Sequence, residues 1–192
     1  IVSNTELNIM FKGYENPFSI SVPGVASSDL QVKCKDASVK EGGTGKWVIV
    51  PHNNAPKMTT IEVYAMVEGK QMLMGGYDFR IKQLPDPKVY VERGGKIIEG
   101  SKIPAAFLRD KSTQLVAQYG ADGLVNATFQ IVSFKVRFPS GVEEPINGNK
   151  FTANVLSKLA TVKAGSTISL IDIQGRGPGG QTTNLGRISF EL

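Results

Sequence analysis

Pro85-Asp86-Pro87 restricts the folding of this chain more than any other feature. Proline fixes its own φ, lacks an amide hydrogen and drives the residue before it out of helical geometry. Two prolines astride one aspartate therefore cannot sit inside a helix or a central strand. An extended, semi-rigid link is what remains. It predicts two units, residues 1–84 and 88–192, joined by the linker Pro85, Asp86 and Pro87, and a length of 192 residues suits two small domains.

Upstream of the linker the sequence alternates with period two. Phe18, Ile20 and Val22 stand opposite Ser19 and Ser21; Leu30, Val32 and Cys34 opposite Gln31 and Lys33; Ile61, Val63, Ala65 and Val67 opposite Glu62, Tyr64, Met66 and Glu68; Tyr77, Phe79 and Ile81 opposite Asp78, Arg80 and Lys82. Each run reads as a strand with one dry and one wet face. Asn16-Pro17, Pro23-Gly24, Gly42-Gly43, Asn53-Asn54, Glu68-Gly69 and Gly75-Gly76 supply turns between them. About seven short strands in about eighty residues predict an immunoglobulin-like β-sandwich, with Trp47 packed between its sheets. The Cys…Trp…Cys pattern of antibody domains is absent.

Downstream the pattern is less regular. Val89 and Val91 begin a short strand that Gly94-Gly95 turns, while Ile103 to Leu108 fits a helical turn or a bulged strand equally well. Val125 to Phe138 carries the longest β signal, with Val132, Phe134, Val136 and Phe138 expected on one face. Thr152 caps a helix expected near 153–163, which Gly165 ends. A strand from Ser166 to Ile173, a loop from Gly175 to Leu185 and a strand from Arg187 to Leu192 complete the chain. The fold class is therefore mainly β: two tandem sandwiches, the second with one short helix.

Composition removes several function classes. One cysteine excludes an intrachain disulfide and a multi-cysteine metal cluster, and any histidine chemistry must run through His52. Twenty-two basic against 17 acidic residues leave a net charge of +5, most of it after residue 84. The basic residues are scattered singly, as solubility requires, and do not form a nucleic-acid footprint. No apolar run approaches the roughly 20 residues of a membrane-crossing helix, and no secretory leader is legible. Beginning at Ile1 without Met, the chain reads as a fragment or a processed product.

No motif rises to an active site. Gly175-Arg176-Gly177-Pro178-Gly179-Gly180 follows a strand as a phosphate loop would, yet a strand pattern follows it and no Gly-Lys-Ser/Thr is present. It reads as a hairpin loop presenting Arg176. His52, beside Pro51 and two asparagines, reads as a solvated loop residue, and Cys34 as a small core residue. Glu143-Glu144 are neighbours whose carboxylates point apart; Asn126-Ala127-Thr128 matches the short N-glycosylation pattern; Met66, Met72 and Met74 suit an adaptable contact surface or core filling alike. No catalytic residue, metal, cofactor, small-molecule substrate or nucleic acid is expected.

Four segments together carry a resemblance: Met10 to Gly24 with Asn16-Pro17 and Val22-Pro23-Gly24; Gly75 to Pro87 with Phe79-Arg80-Ile81-Lys82 and Pro85-Asp86-Pro87; Phe129 to Phe134; and Ile171 to Gly180. In order and spacing they resemble, along nearly the whole chain, the C-terminal periplasmic region of the GldM/PorM family of gliding-motility and type IX secretion proteins. Gly179 stands where that family commonly has Asp, so no role that needs a carboxylate there is carried over. The resemblance implies a non-enzymatic, periplasm-spanning structural component in Bacteroidetes. It implies a homodimer, tied through an N-terminal helix absent here to an inner-membrane motor partner. At the far end it implies contact with an outer-membrane-associated ring lipoprotein and its partner protein, to which energy is transmitted. Rigid domains joined by a proline link suit such a strut. The partner-binding residues expected are Arg176, Gly177 and Arg187, since the excess positive charge lies in the second unit and arginine forks onto carboxylates. The competing reading is an extracytoplasmic adhesin or carbohydrate-binding module, which would expose aromatic faces; Tyr14, Tyr64, Tyr90 and Tyr119 fall off the core phase of their strands. An enzyme using His52 or Cys34 is the third reading, and loss of an activity in His52→Ala would mark it.

Overall fold

The computed structural model describes residues 8–120 and 125–192. It divides into compact units Ile1–Pro85 and Asp86–Leu192, parting inside the Pro-Asp-Pro segment.

The first unit has seven described strands: β1 (Ile9–Phe11), β2 (Asn16–Ser19), β3 (Leu30–Cys34), β4 (Ala37–Gly43), β5 (Lys46–Pro51), β6 (Met58–Val67) and β7 (Lys70–Lys82). They form two sheets, ordered β1-β7-β6-β3 and β2-β5-β4. The second, fourth and fifth strands thus oppose the third, sixth and seventh, which is the immunoglobulin arrangement, with β1 running parallel to β7 at the sheet edge. The alternating runs place Leu30, Val32, Ile61, Val63 and Ala65 in one core with Met10, Ile49 and Trp47. Trp47 is buried as expected, on the fifth strand, and its indole Nε1 meets no hydrogen-bond partner among the described residues.

Among the described residues Asn16 is one of three buried polar ones, and it knots the start of this unit. Its Oδ1 accepts from the Phe11 amide at 2.8 Å. Its Nδ2 donates to the carbonyls of Phe11 at 3.0 Å, Tyr14 at 2.9 Å and Ile49 at 3.0 Å. The side chain thereby closes the β1–β2 turn and ties it to β5. Pro17 follows with no amide hydrogen to satisfy, on an edge strand where that loss is tolerated.

The second unit contains β8 (Lys88–Arg93), β9 (Lys96–Ile98), β10 (Gln114–Gln118), β11 (Gln130–Arg137), β12 (Glu143–Asn147), β13 (Thr167–Arg176), β14 (Thr182–Asn184) and β15 (Ile188–Glu191), with helices α1 (Ala105–Leu108) and α2 (Ala153–Leu159). One sheet is ordered β10-β8-β9; the other is β12-β11-β13-β14, and β15 also pairs with β13. Val91, Leu115, Phe134, Val136, Ile168, Leu170 and Ile173 share one core across both sheets. Gly94 and Gly95, at φ 57° and 80°, form the two-residue turn between β8 and β9, where both positions demand left-handed backbone.

Ile103 to Leu108 resolves as the helical turn α1. It delivers Arg109, whose Nε and Nη2 donate to the carbonyls of Leu159 and Val162, each at 3.2 Å, at the C-terminal end of α2. A cation there also opposes the negative end of the helix dipole. At the other end the Thr152 hydroxyl accepts from the Val155 amide, as predicted.

Two strand expectations need correction. Val132 does not share the buried face with Phe134, Val136 and Phe138; Ile131 takes that place and Val132 is half-buried. The cause is a bulge: β11 gains one residue on β13 between Ile131 and Ser133, and β13 regains it between Gln174 and Ile171. The span read as a loop from Gly175 to Leu185 also begins inside β13 and contains β14.

Candidate functional site

His52 and Cys34 stand apart from each other's chemistry. His52 is exposed, its Nε2 lying 3.3 Å from the Ser38 hydroxyl. Asp36, whose carbonyl accepts from the His52 amide, sends its carboxylate instead to the Thr59 hydroxyl at 2.7 Å. The pair is thus a solvated surface contact, not a nucleophile oriented by a third group. Cys34 is half-buried, with its sulfur 3.4 Å from the Thr59 hydroxyl oxygen. Glu143 and Glu144 do point apart. Glu143 takes the Arg137 guanidinium at 2.5 Å, while Glu144 pairs with Lys158 on α2. Among the described residues no group of three His, Cys, Asp or Glu side chains could hold a metal ion, and no helix is long and apolar enough to cross a membrane.

The glycine-rich segment is held by packing. Arg176 is the last residue of β13, exposed and paired in register with Gln130 and Thr182. The loop proper is a tight turn in which the Gly177 amide donates to Gln181 and the Gly180 amide to Gly177. A Cβ on Gly175 would lie 2.5 Å from Leu185 Cδ1, and one on Gly177 would lie 3.0 Å from the Phe129 ring. Both glycines are therefore needed so that Leu185 and Phe129 can lie against the strand. Arg187 is exposed too, but the structure does not bring it beside Arg176. Ile188, its successor, pairs with Leu170, six residues along β13 from Arg176, or about 20 Å at the usual strand rise.

Between those arginines lies a charge ladder that sequence reasoning missed. Lys135 on β11 meets Asp172 on β13 at 2.8 Å, with Glu143 at 3.9 Å on its other side. The hydrogen bond and negative charge of Asp172 hold the Lys135 ammonium above its ordinary range. Asp172 sits at φ 51° at the bulge. The change of apolar phase between Leu170 and Ile173 is the sequence signal that could have revealed it.

Exposed apolar side chains concentrate on one hairpin. Met58, Met66, Val67, Met72, Leu73 and Tyr77 all belong to β6 and β7. Met74 instead packs against the core, so the three methionines divide between both expected roles. β1 pairs with β7 only at Arg80, Ile81 and Lys82, which leaves the edge from Lys70 to Phe79 without a strand neighbour among the described residues.

Of the tyrosines off the core phase, Tyr64 donates to Glu62 at 2.8 Å and lies under Lys33. The Glu62 hydrogen bond, with burial and the Glu62 charge, pushes its phenol above the usual value. Tyr119 packs edge-on against Phe129, centroids 6.1 Å apart, at a cleft of about 690 Å³ that also receives Asn126 and Thr128 of the glycosylation pattern.

Residues 1–82 match the family model described as GldM third domain, and residues 85–192 match that described as GldM C-terminal domain. No curated protein matches the chain significantly.

Proposed function

Because the chain belongs to the GldM family of gliding-motility and type IX secretion components, we propose that it is part of a periplasm-spanning structural element that carries energy from an inner-membrane motor to an outer-membrane-associated ring. Family members are machinery components with extracytoplasmic C-terminal domains, structural and not enzymatic. The observation that carries the reading is the division itself. Two consecutive family domains meet where the protein parts into two units, at a segment whose prolines limit bending. Residues 1–84 and 88–192 fold as separate units in this proposal, with 85–87 transmitting orientation between them.

The second unit makes the ring contact, to the lipoprotein and its partner protein, through Arg176, Gly177 and Arg187. The two arginines are exposed and anchored to the same strand, spaced as two separate contacts for an acidic protein surface. The protein works as a homodimer in the periplasm. Support comes from the apolar β6–β7 hairpin and from the β7 edge, which among the described residues has no strand neighbour from Lys70 to Phe79, because exposed edges call for a covering partner. The intact chain used as bait on envelope extract should recover the ring proteins, identified by mass spectrometry, and a bait lacking residues 1–84 should recover them as well. Loss of recovery on that deletion moves the contact to the first unit; failure of both baits refutes the ring assignment. Sedimentation at micromolar concentration showing only a 20.7 kDa species refutes the dimer.

A further inference from the structure

We infer that the hollow where the β11–β12 turn meets the C-terminal end of α2 binds a short acidic protein segment, one that carries an apolar side chain two residues from its carboxylate. The hollow encloses about 440 Å³, within the usual range of ligand sites. The Phe138 amide donates to the Val142 carbonyl and the Gly141 amide to the Phe138 carbonyl, each at 2.9 Å. These bonds close the turn after β11, and the turn forms one wall while Val162 and Lys163, just past α2, form the other. Tyr119 and Val125 flank Phe129 before the start of β11, so the whole strand, about 25 Å at the usual rise, separates them from the hollow.

Two features of the lining select that occupant. The first is apolar. Among the described residues of the second unit, Val142 is the one large apolar side chain left as exposed, at 49%. It shares the hollow with buried Phe138 and half-buried Val162, an apolar surface beside a few convergent polar groups. The second is charge. Lys158 and Lys163 reach the hollow, and among the described residues no acidic side chain lines it. Lys158 is committed to Glu144, which Asn154 also holds. Lys163 is exposed and meets no carboxylate among the described residues. Carbonyls at the end of α2 would repel a carboxylate, but they are occupied. Arg109 takes those of Leu159 and Val162, the Thr161 hydroxyl that of Lys158 at 2.7 Å, and the Ser166 amide that of Lys163 at 3.2 Å. Arg109 also brings its own positive charge to this end of the helix.

An extended segment places side chains i and i+2 on one face about 7 Å apart. A leucine can then lie on Val142 and Val162 while an aspartate two residues away reaches Lys163. The Ser166 hydroxyl makes no hydrogen bond among the described residues and can meet the segment's backbone. A second copy of this chain would bring its own net charge of +5 to these lysines, so charge complementarity favours an acidic partner over self-association. A small inorganic anion would engage the lysines and leave the apolar wall wet. Neither Arg176 nor Arg187 lines the hollow, so the inference stands or falls separately from the ring contact.

The test is titration of the ¹⁵N-labelled full chain with the peptide acetyl-Ser-Leu-Ser-Asp-Ser-amide, followed by amide shifts. The same peptide with Asp replaced by Asn, the same with Leu replaced by Ser, and decanoate serve as comparisons. The expected result is saturable perturbation confined to 138–142 and 158–166. Either replacement in the peptide, or added salt, should weaken it about threefold, because an exposed ion pair is modest and screened. Lys163→Gln, at an exposed position, and Val142→Thr, which keeps the branched shape, should each weaken binding about threefold at unchanged melting temperature. No saturable shift overturns the inference, as do shifts mapping elsewhere, salt-indifferent binding, either altered peptide binding as well as the parent peptide, tighter binding of decanoate, or both variants binding as well as the parent protein. Shifts of the same amides with protein concentration alone would give the hollow to a second copy and overturn it too.

Discussion

Removing the Asn16 side chain tests whether the first unit is organised around one amide. Asn16→Ala deletes four hydrogen bonds and leaves the Ile49 carbonyl, in buried surroundings, without its side-chain donor. A buried group left unpaired costs about 1–3 kcal/mol, and each half-buried bond contributes about 0.5–1.5 kcal/mol, part of which water restores. The sum is a loss of about 3–4 kcal/mol. Asn16→Asp should cost at least as much: the carboxylate can still accept from Phe11, but it replaces three donated bonds with a charge facing three carbonyl oxygens. The chain holds a single tryptophan, Trp47, buried in this same unit, so its fluorescence in urea reports the first unit alone. With m near 1 kcal/mol/M for a domain of this size, the midpoint should fall by about 3 M in both variants. A fall below about 0.5 M in Asn16→Ala, or an Asn16→Asp protein sturdier than Asn16→Ala, would refute the reasoning.

Gly175→Ala should destabilise the second unit by about 1–3 kcal/mol through overpacking against Leu185, read from its calorimetric transition, and Leu185→Ala in the same chain should recover part of the loss. If the ring contact is as proposed, Arg176→Glu should weaken it by roughly 1–3 kcal/mol while changing stability by less than about 0.5 kcal/mol; unchanged ring binding with the fold intact removes Arg176 from the contact. Acid should weaken the second unit specifically. The Gln114 amide and the Gly95 N–H hold the Glu92 carboxyl below its ordinary 4.5, and the Ser112 hydroxyl and amide, with Arg93 nearby, hold that of Asp110 below 3.8. Folded values lying below unfolded ones mean stability that is complete above those ordinary values and drains away as pH falls through the depressed ones. Melting temperature followed from about pH 5 to about pH 2 should therefore drop less steeply in Asp110→Asn than in the parent.

Much of the β architecture was legible because it depends on local alternation. Leu30/Val32 and Ile61/Val63/Ala65 each present one apolar face, and that face is the one buried. Thr152 announced α2 because a cap needs only the residues beside it. What escaped was set by pairing across the chain. Val132 looks in phase with Phe134, and only the extra residue opposite β13 turns it outward. Gly175 and Gly177 read as loop glycines, although Leu185 and Phe129, from elsewhere in the chain, are what require them. Arg176 and Arg187 were named together as partner-binding residues, one in a loop and one opening the last strand, but the register of β13 with β14 and β15 spreads them along the sheet.

The opposed bulges of β11 and β13 make the two strands keep count of one another. Each carries one residue more than a straight ladder would hold, and because the surplus sits on opposite sides, Gln130 with Arg176 and Lys135 with Ile171 obey the same register above and below the irregularity. Chain length in this sheet is consequently a shared quantity. Losing Val132 alone would remove the surplus of β11 and bring Ile131 two residues from Phe134, so the core face of β11 would run unbroken while β13 kept its own extra residue. Losing Val132 and Asp172 together would leave a continuous ladder with the core still inward on one side, at the expense of the Lys135–Asp172 bond. Removing the surplus from either strand therefore keeps its core face inward, whereas a deletion elsewhere in β11 or β13 turns the residues beyond it to the other face.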